Sequence, residues 1–360
     1  MPPSQFRIAT VMKKQKRNNV AQRIAVSVLG AAGLAGLCSC DEKAPEKEST
    51  AETAVVAETA APAAPVAVSA EAREKLFEAL LFDLGKKAGE IASHPELTEA
   101  VRNMLALTEE YYAEVAESLT GKPEKVRLAL HMADITRDLT AWERACASYD
   151  RARADYDALP ESVREETDVR RMLSAICNGK AFCELRRGHT AEALALYGQS
   201  LEIDSALYAL VAPPDGEALP EGDVEPALAR AAEDIFFSYR CLGECQEVAE
   251  DPEEARETIK SGIELAQRLD RLSPGMSLQY IRLLGALGNL ESRCGNEREA
   301  LRNWEQAAQM CQRLNSSTTN LSVRAKTAVT FQNLLPGIKA LQEKMQAAEA
   351  ATQQEQPAQQ

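Results

Sequence analysis

From about residue 70 to residue 346 apolar residues return every three or four positions, and the strict alternation of a half-buried strand appears nowhere. The spacing predicts helices around 70–92 and 95–119 as a degenerate first unit over about 70–120. Helix pairs follow over about 124–160, 170–210, 227–271 and 275–314, and then a closing helix at 318–346, interrupted at Pro336-Gly337. Three stretches lie outside this periodicity. Residues 209–226, ALVAPPDGEALPEGDVEP, read as a protruding loop because proline and glycine break the helical run. Residues 40–69 carry three prolines and no aromatic residue, so they cannot bury enough surface to fold and predict a disordered tether. A coil of that length spans about 30 Å on average and about 100 Å when fully extended. Residues 347–360, AAEAATQQEQPAQQ, predict a disordered tail for the same reason.

The first 39 residues have a different pattern. A basic stretch, KKQKRNNVAQR (13–23), precedes the apolar run IAVSVLGAAGLAGL, Ile24 to Leu37. That run spans only about 21 Å as a helix, short of a bilayer core of about 30 Å. It has the form of a signal peptide, with Met12 as a second possible start. Its end, Leu37-Cys38-Ser39-Cys40, resembles a bacterial lipobox, in which a cysteine follows a small residue and a leucine stands three places before it. Cys38 in the middle position departs from that pattern. The resemblance implies diacylation of Cys40 as the new N-terminus and a lipid-anchored protein of the bacterial cell envelope, on the periplasmic or extracellular side. Ordinary secretion with a free Cys40 is the alternative.

Self-similarity identifies the fold. LGNLESRCGNEREALRNWEQAAQMCQRL (287–314) and LGECQEVAEDPEEARETIKSGIELAQRL (242–269) align without a gap at an offset of 45 residues. KAFCELRRGHTAEALALYGQSLEIDSAL (180–207) repeats the pattern with Ala181 for the glycine. MADITRDLTAWERACASYDRARADYDAL (132–159) does so with Ala133. These segments resemble the tetratricopeptide repeat: Leu-Gly in a first helix, glycine at the turn, then alanine, an aromatic and alanine in a second. The fullest copy holds Leu287, Gly288, Gly295, Ala300, Trp304 and Ala307. The resemblance implies an all-α solenoid of TPR-type helix–turn–helix repeats over 70–346. Where two helices cross closely, a large side chain would overpack, hence the small residues, and the aromatic fills the gap to the next helix. The Ala145–Ala193 and Ala255–Ala300 spacings, 48 and 45 residues, exceed the usual repeat and match longer helices with an inter-repeat proline, Ser273-Pro274.

Charge narrows the partners. Removing residues 1–39 takes six of the 41 basic residues and none of the 55 acidic ones, leaving a net charge of −20. That surface repels nucleic acid and anionic lipid headgroups, so membrane attachment must be covalent or apolar.

No catalytic constellation appears. His94, His131 and His189 form no HExxH-like pair and read as solvated or capping residues, and no nucleophile elbow or phosphate-binding glycine loop is present. The sequence therefore predicts no enzyme, no cofactor and no metal. Beyond Cys40 lie seven cysteines, with Cys241 and Cys245 one helical turn apart. Three readings stay open for them: apolar packing, disulfide stapling between helices and metal or redox chemistry.

In the family the first helices line an inner groove that holds partner peptides. In this register the groove positions are Arg127, His131, Asp134 and Arg137 in the first clear unit, and Asn178 and Arg186 in the second. Arg240, Glu244 and Glu247 follow in the third, and Arg282, Asn289 and Arg293 in the fourth. Arginine forks and asparagine amides suit carboxylates and peptide backbones. The clamp that holds chaperone C-termini is not reproduced, since Gly285 stands where a lysine would be needed. The sequence thus predicts a membrane-tethered scaffold binding protein or peptide partners. A structural subunit of an envelope assembly, of the outer-membrane or pilus biogenesis type, is the alternative.

Overall fold

Proline and a capping residue start three of the helices. Glu225-Pro226, Asp251-Pro252 and Ser273-Pro274 each place a side-chain oxygen before a proline in the first turn, where its missing N–H is no loss. Those oxygens accept from the backbone N–H of Leu228 (3.1 Å), Glu254 (3.2 Å) and Met276 (3.2 Å). The computed structural model describes residues 112–113, 119–138, 141–214, 219, 222–269 and 271–354. Cys40, the expected signal peptide and tether and nearly all of the expected first unit lie outside the described residues.

The chain forms two compact units, Met1–Ala141 and Trp142–Gln360. The first contains helix α1, Pro123–Asp138. The second contains α2 (Trp142–Asp157), the single turn α3 (Glu161–Arg164), α4 (Thr167–Arg186), α5 (Thr190–Ala209) and α6 (Pro226–Val248). It continues with α7 (Pro252–Arg268), α8 (Pro274–Arg293), α9 (Glu297–Ser317) and α10 (Leu321–Gln354). No strand occurs among the described residues. Within the second unit each helix from α3 onward packs on the next, and α2, α4, α6, α8 and α10 also meet across repeats: α2 on α4, α4 on α6, α6 on α8 and α8 on α10. This is an all-α solenoid of TPR-type pairs, α4/α5, α6/α7 and α8/α9, closed by α10.

The pairs share one turn. Gly188, Glu250 and Gly295 occupy the left-handed region (φ 84°, 64° and 80°). The next residue's N–H, from His189, Asp251 or Asn296, reaches back to the carbonyl of Glu184, Gln246 or Glu291 at 2.9, 3.0 and 2.8 Å. This Schellman geometry satisfies helix-end carbonyls and turns the chain. Glutamate at the second of these positions bears a steric penalty that glycine avoids.

Small residues then let the helices close. A Cβ at Gly288 would lie 2.4 Å from Trp304 Cδ1, and one at Gly243 would lie 2.4 Å from Ile259 Cγ1. Ala181, Ala193, Ala255, Ala300 and Ala307 are fully buried. A continuous apolar core runs through α6–α10, from Ala232 to Leu341. The core of α4–α6 is smaller, built on Ala181, Ala193, Tyr197, Cys241 and Cys245.

Two expectations about the end of the chain are corrected. Pro336 and Gly337 do not interrupt the closing helix; α10 runs through them. A proline removes one backbone donor, which α10 absorbs, and Gly337 is needed because a Cβ there would lie 2.9 Å from Trp304 Cζ3. The helix also continues to Gln354, eight residues past 346, so the start of the expected disordered tail is helical. The long loop is tied back where it is described: Arg271 donates to the carbonyls of Gly222 and Leu219.

Candidate functional site

The side chains of α6, α8 and α10 meet around a groove of about 650 Å³. Arg240 and Glu244 of α6 stand one helical turn apart on one wall. Arg282, Gly285, Ala286 and Asn289 of α8 form the floor, and Lys326, Val329, Thr330, Asn333 and Leu334 of α10 form the other wall. A second hollow of about 500 Å³ shares Glu244, Ala286 and Asn289 with it and continues to Glu247, Val248 and Arg293. The groove therefore runs along α6 and α8 over the face of the first helices.

Its electrostatics are set by burial. Arg240 Nη1 donates to Glu244 Oε2 at 2.7 Å, and its guanidinium lies over the Phe237 ring at 5.1 Å. Its Nε is buried without a partner. Burial works against the Arg240 charge, but Cys241 and Glu244 outweigh it and hold the arginine above its ordinary pKa. Arg282 has no hydrogen bond or ion pair among the described residues, and burial and the like charge of Arg240 lower its pKa. Arginine still keeps its proton at neutral pH. Lys326 adds a third cation, so this part of the groove holds three positive groups against the one carboxylate of Glu244. At the far end Arg293 is paired with Glu247.

Asn289 is oriented by its neighbour. Trp304 Nε1 donates to Asn289 Oδ1 at 3.1 Å. An indole N–H can only donate, so the partner must be the amide oxygen. The amide NH2 is left as the end available to the groove.

Six groove candidates are thus brought together: Arg240, Glu244, Glu247, Arg282, Asn289 and Arg293. Asn178 and Arg186 line neither hollow. Asn178 donates to Ser238 Oγ at 3.4 Å, within a buried polar network, and exposed Arg186 lies over Phe182 at 5.1 Å. Arg127 and Arg137 lie on α1, where Arg137 pairs with Asp134 and Asp138. The residues of α10 were missed because the sequence showed only a closing helix, with nothing to place it beside α8.

The buried network joins α4, α5 and α6. Ser174 and Ser200 hydroxyls are 2.9 Å apart, Ser200 and Ser238 are 3.1 Å apart, and Ser238 donates to Asp204 Oδ2 at 2.6 Å. Asp204 is nearly inaccessible, and burial raises its carboxyl above the usual range despite the three serines.

Two other clusters have structural explanations. Glu184, His189 and Glu192 hold ligand-type atoms within 4.8 Å of one another. Glu184 is already bonded to His189 (2.7 Å) and Arg187 (2.8 Å), and Lys180 lies 3.6 Å from Glu192. The fourth repeat places Glu291 and Asn296 at the same positions, bonded at 2.6 Å. A repeated buried acid that braces the turn explains both. All seven cysteines from Cys146 onward are free, and all but Cys294 are buried. Burial pushes the Cys241 thiol up to about 12 and those of Cys146, Cys177, Cys245 and Cys311 to about 11, so they are protonated packing groups at neutral pH.

No family model matches the chain, and no curated protein matches it. Among solved structures it is similar to BtubC (BKLC) from P. vanneervenii, at 15% identity and a TM-score of 0.42, covering 80% of this chain and 95% of that one. The apo form of RapI matches at 9% identity and a TM-score of 0.47, over 78% of this chain and 73% of its own. A putative kinesin light chain of Podosopora anserina with TPR-like repeats matches at 14% identity and a TM-score of 0.41, over 62% of this chain and 93% of its own.

Proposed function

We propose that this chain is a non-catalytic scaffold of the bacterial cell envelope, anchored by lipid on Cys40, that docks segments of partner proteins in the groove between α6, α8 and α10. The observation that carries this reading is a groove rich in donors on a protein of strongly acidic charge. Three cations and an oriented amide face a space of about 650 Å³, and Val248 and Val329, both 57% exposed, supply apolar contact beside them. Among the described residues lining the groove no nucleophile is hydrogen-bonded to a base, and the buried thiols are too basic to serve. The anchor follows from the lipobox-like Leu37-Cys38-Ser39-Cys40, and no helix among the described residues is long and apolar enough to cross a membrane.

Membrane fractionation of the tagged protein beside a Cys40→Ala variant, with co-purified proteins identified by mass spectrometry, tests the reading. The parent is expected in membranes with discrete partners, and the variant in the soluble fraction. A soluble parent would remove the anchor, and a parent that brings down nothing would remove the scaffold.

A further inference from the structure

The groove has a polarity that selects among partner segments. Arg282 lines the groove half-buried and makes no hydrogen bond or ion pair of its own among the described residues. Its neighbour Arg240 gives one N–H to Glu244 and keeps a buried Nε unpartnered. Lys326 faces the same space from α10, and the Asn289 amide, fixed by Trp304, offers an NH2 beside it. Glu244 is the one carboxylate lining this part, and it is already engaged. A buried donor without an acceptor is costly, so whatever enters must bring acceptors, and the concentration of charge calls for an anion. Against these donors lie Ala286, Val329 and Leu334, which call for an aliphatic neighbour.

We infer that the groove recognises an extended partner segment carrying an internal acidic side chain, its carboxylate seated on Arg282 and Lys326 with an aliphatic residue against Val329 and Leu334. The Asn289 amide holds a backbone carbonyl of the same segment. An internal residue fits better than a chain terminus because the groove continues past Asn289 to Arg293, giving the chain a way onward. The inference rests on the docking reading above and adds the chemistry of the ligand.

The test is selection of random twelve-residue peptides, displayed with both ends embedded, on the full-length protein. One arm displays the same library with a free C-terminus. Aspartate or glutamate next to valine, isoleucine or leucine should be enriched in the embedded arm. A synthetic, end-blocked peptide from that set should bind at least about tenfold more weakly when its acid is changed to the amide. With Arg282→Gln or Lys326→Gln, checked for helix content and melting temperature, that preference should shrink towards one. The exposed Arg302→Gln should leave it intact. Enriched peptides without an acidic residue, or variants that weaken acid and amide peptides equally, would overturn the inference while leaving docking in place. Enrichment only with a free C-terminus would replace the internal acid with a terminal carboxylate. No retained peptide in either arm would contradict docking itself.

Discussion

The α8/α9 pair and the α4/α5 pair share one register but are packed by different chemistry. In α8/α9 the Trp304 ring lies between Gly288 and Gly337, and leucines fill the rest. In α4/α5 the corresponding aromatic is Tyr197, set among alanines and cysteines. Ser200 there occupies the small-residue position held by Gly262 and Ala307 in the other pairs, and its hydroxyl joins a chain that ends on buried Asp204. The first arrangement relies on shape and apolar area. The second relies on a chain of hydrogen bonds, which specifies one alignment of three helices but leaves the buried Asp204 carboxylate with Oδ1 unpartnered, at a cost. A repeat architecture therefore constrains the backbone and the size of the crossing residues, and leaves the polarity of each interface free.

That contrast can be broken most strongly at Gly288. Gly288→Leu should lower stability by about 3 kcal/mol, since even the first added carbon meets the indole. In contrast, Gly198→Ala in α5, where an added Cβ meets nothing within 4 Å, should raise stability by about 0.5–1 kcal/mol. Equal unfolding curves for parent and Gly288→Leu would contradict the register. Next comes Arg256→Ala. Arg256 holds the buried Glu291 at 2.7 and 3.2 Å across two repeats, and its loss should cost about 2 kcal/mol by urea unfolding.

The polar interface should reveal itself through pH. Burial, and then the charge of Asp204, raise Asp234 to about 6 from an ordinary 3.8, while Arg171 and Arg230 pull the other way and Glu233 adds to the rise. A raised folded-state pKa stabilises below the unfolded value and loses that contribution as pH climbs through the folded one. The parent should therefore lose stability between about pH 4 and pH 6. Asp234→Asn should flatten that window and gain about 1 kcal/mol at neutral pH, the figure allowing for solvent screening of a side chain more than a third exposed. Parallel pH profiles would place the sensitivity elsewhere. An effect as small as that of Gly198→Ala concerns the shared turn: Glu250→Gly should stabilise by about 0.5–1 kcal/mol by removing the left-handed penalty that Gly188 and Gly295 never incur.

The same comparison explains what the sequence disclosed. Leu287-Gly288, Gly295, Ala300 and Trp304 announce a helix pair because each is the residue type its backbone or its crossing demands. Ser174, Ser200 and Ser238 announce nothing, since a serine on a helix is ordinary until two others arrive from 26 and 38 residues away. Arg240 and Arg282 were legible as groove residues by register alone. Lys326, Val329 and Asn333 were not, because α10 read as a closing helix rather than a groove wall. Pro336 was misread as a break because its local rule was applied without the Trp304 ring that makes Gly337 useful. Asn178 shared Arg240's register position but was drawn into the serine network, which no local pattern signals.

The claim on which the account rests most is that partners occupy the groove between α6, α8 and α10. Site-specific photo-crosslinking in the protein's own cells tests it directly, with a photoreactive residue at Val329 on the groove wall and, separately, at the exposed Lys339 outside the groove lining. Discrete adducts from Val329, weakened by Arg282→Gln and missing from Lys339, are the predicted result. The same adducts from both positions, or none from Val329, would contradict it.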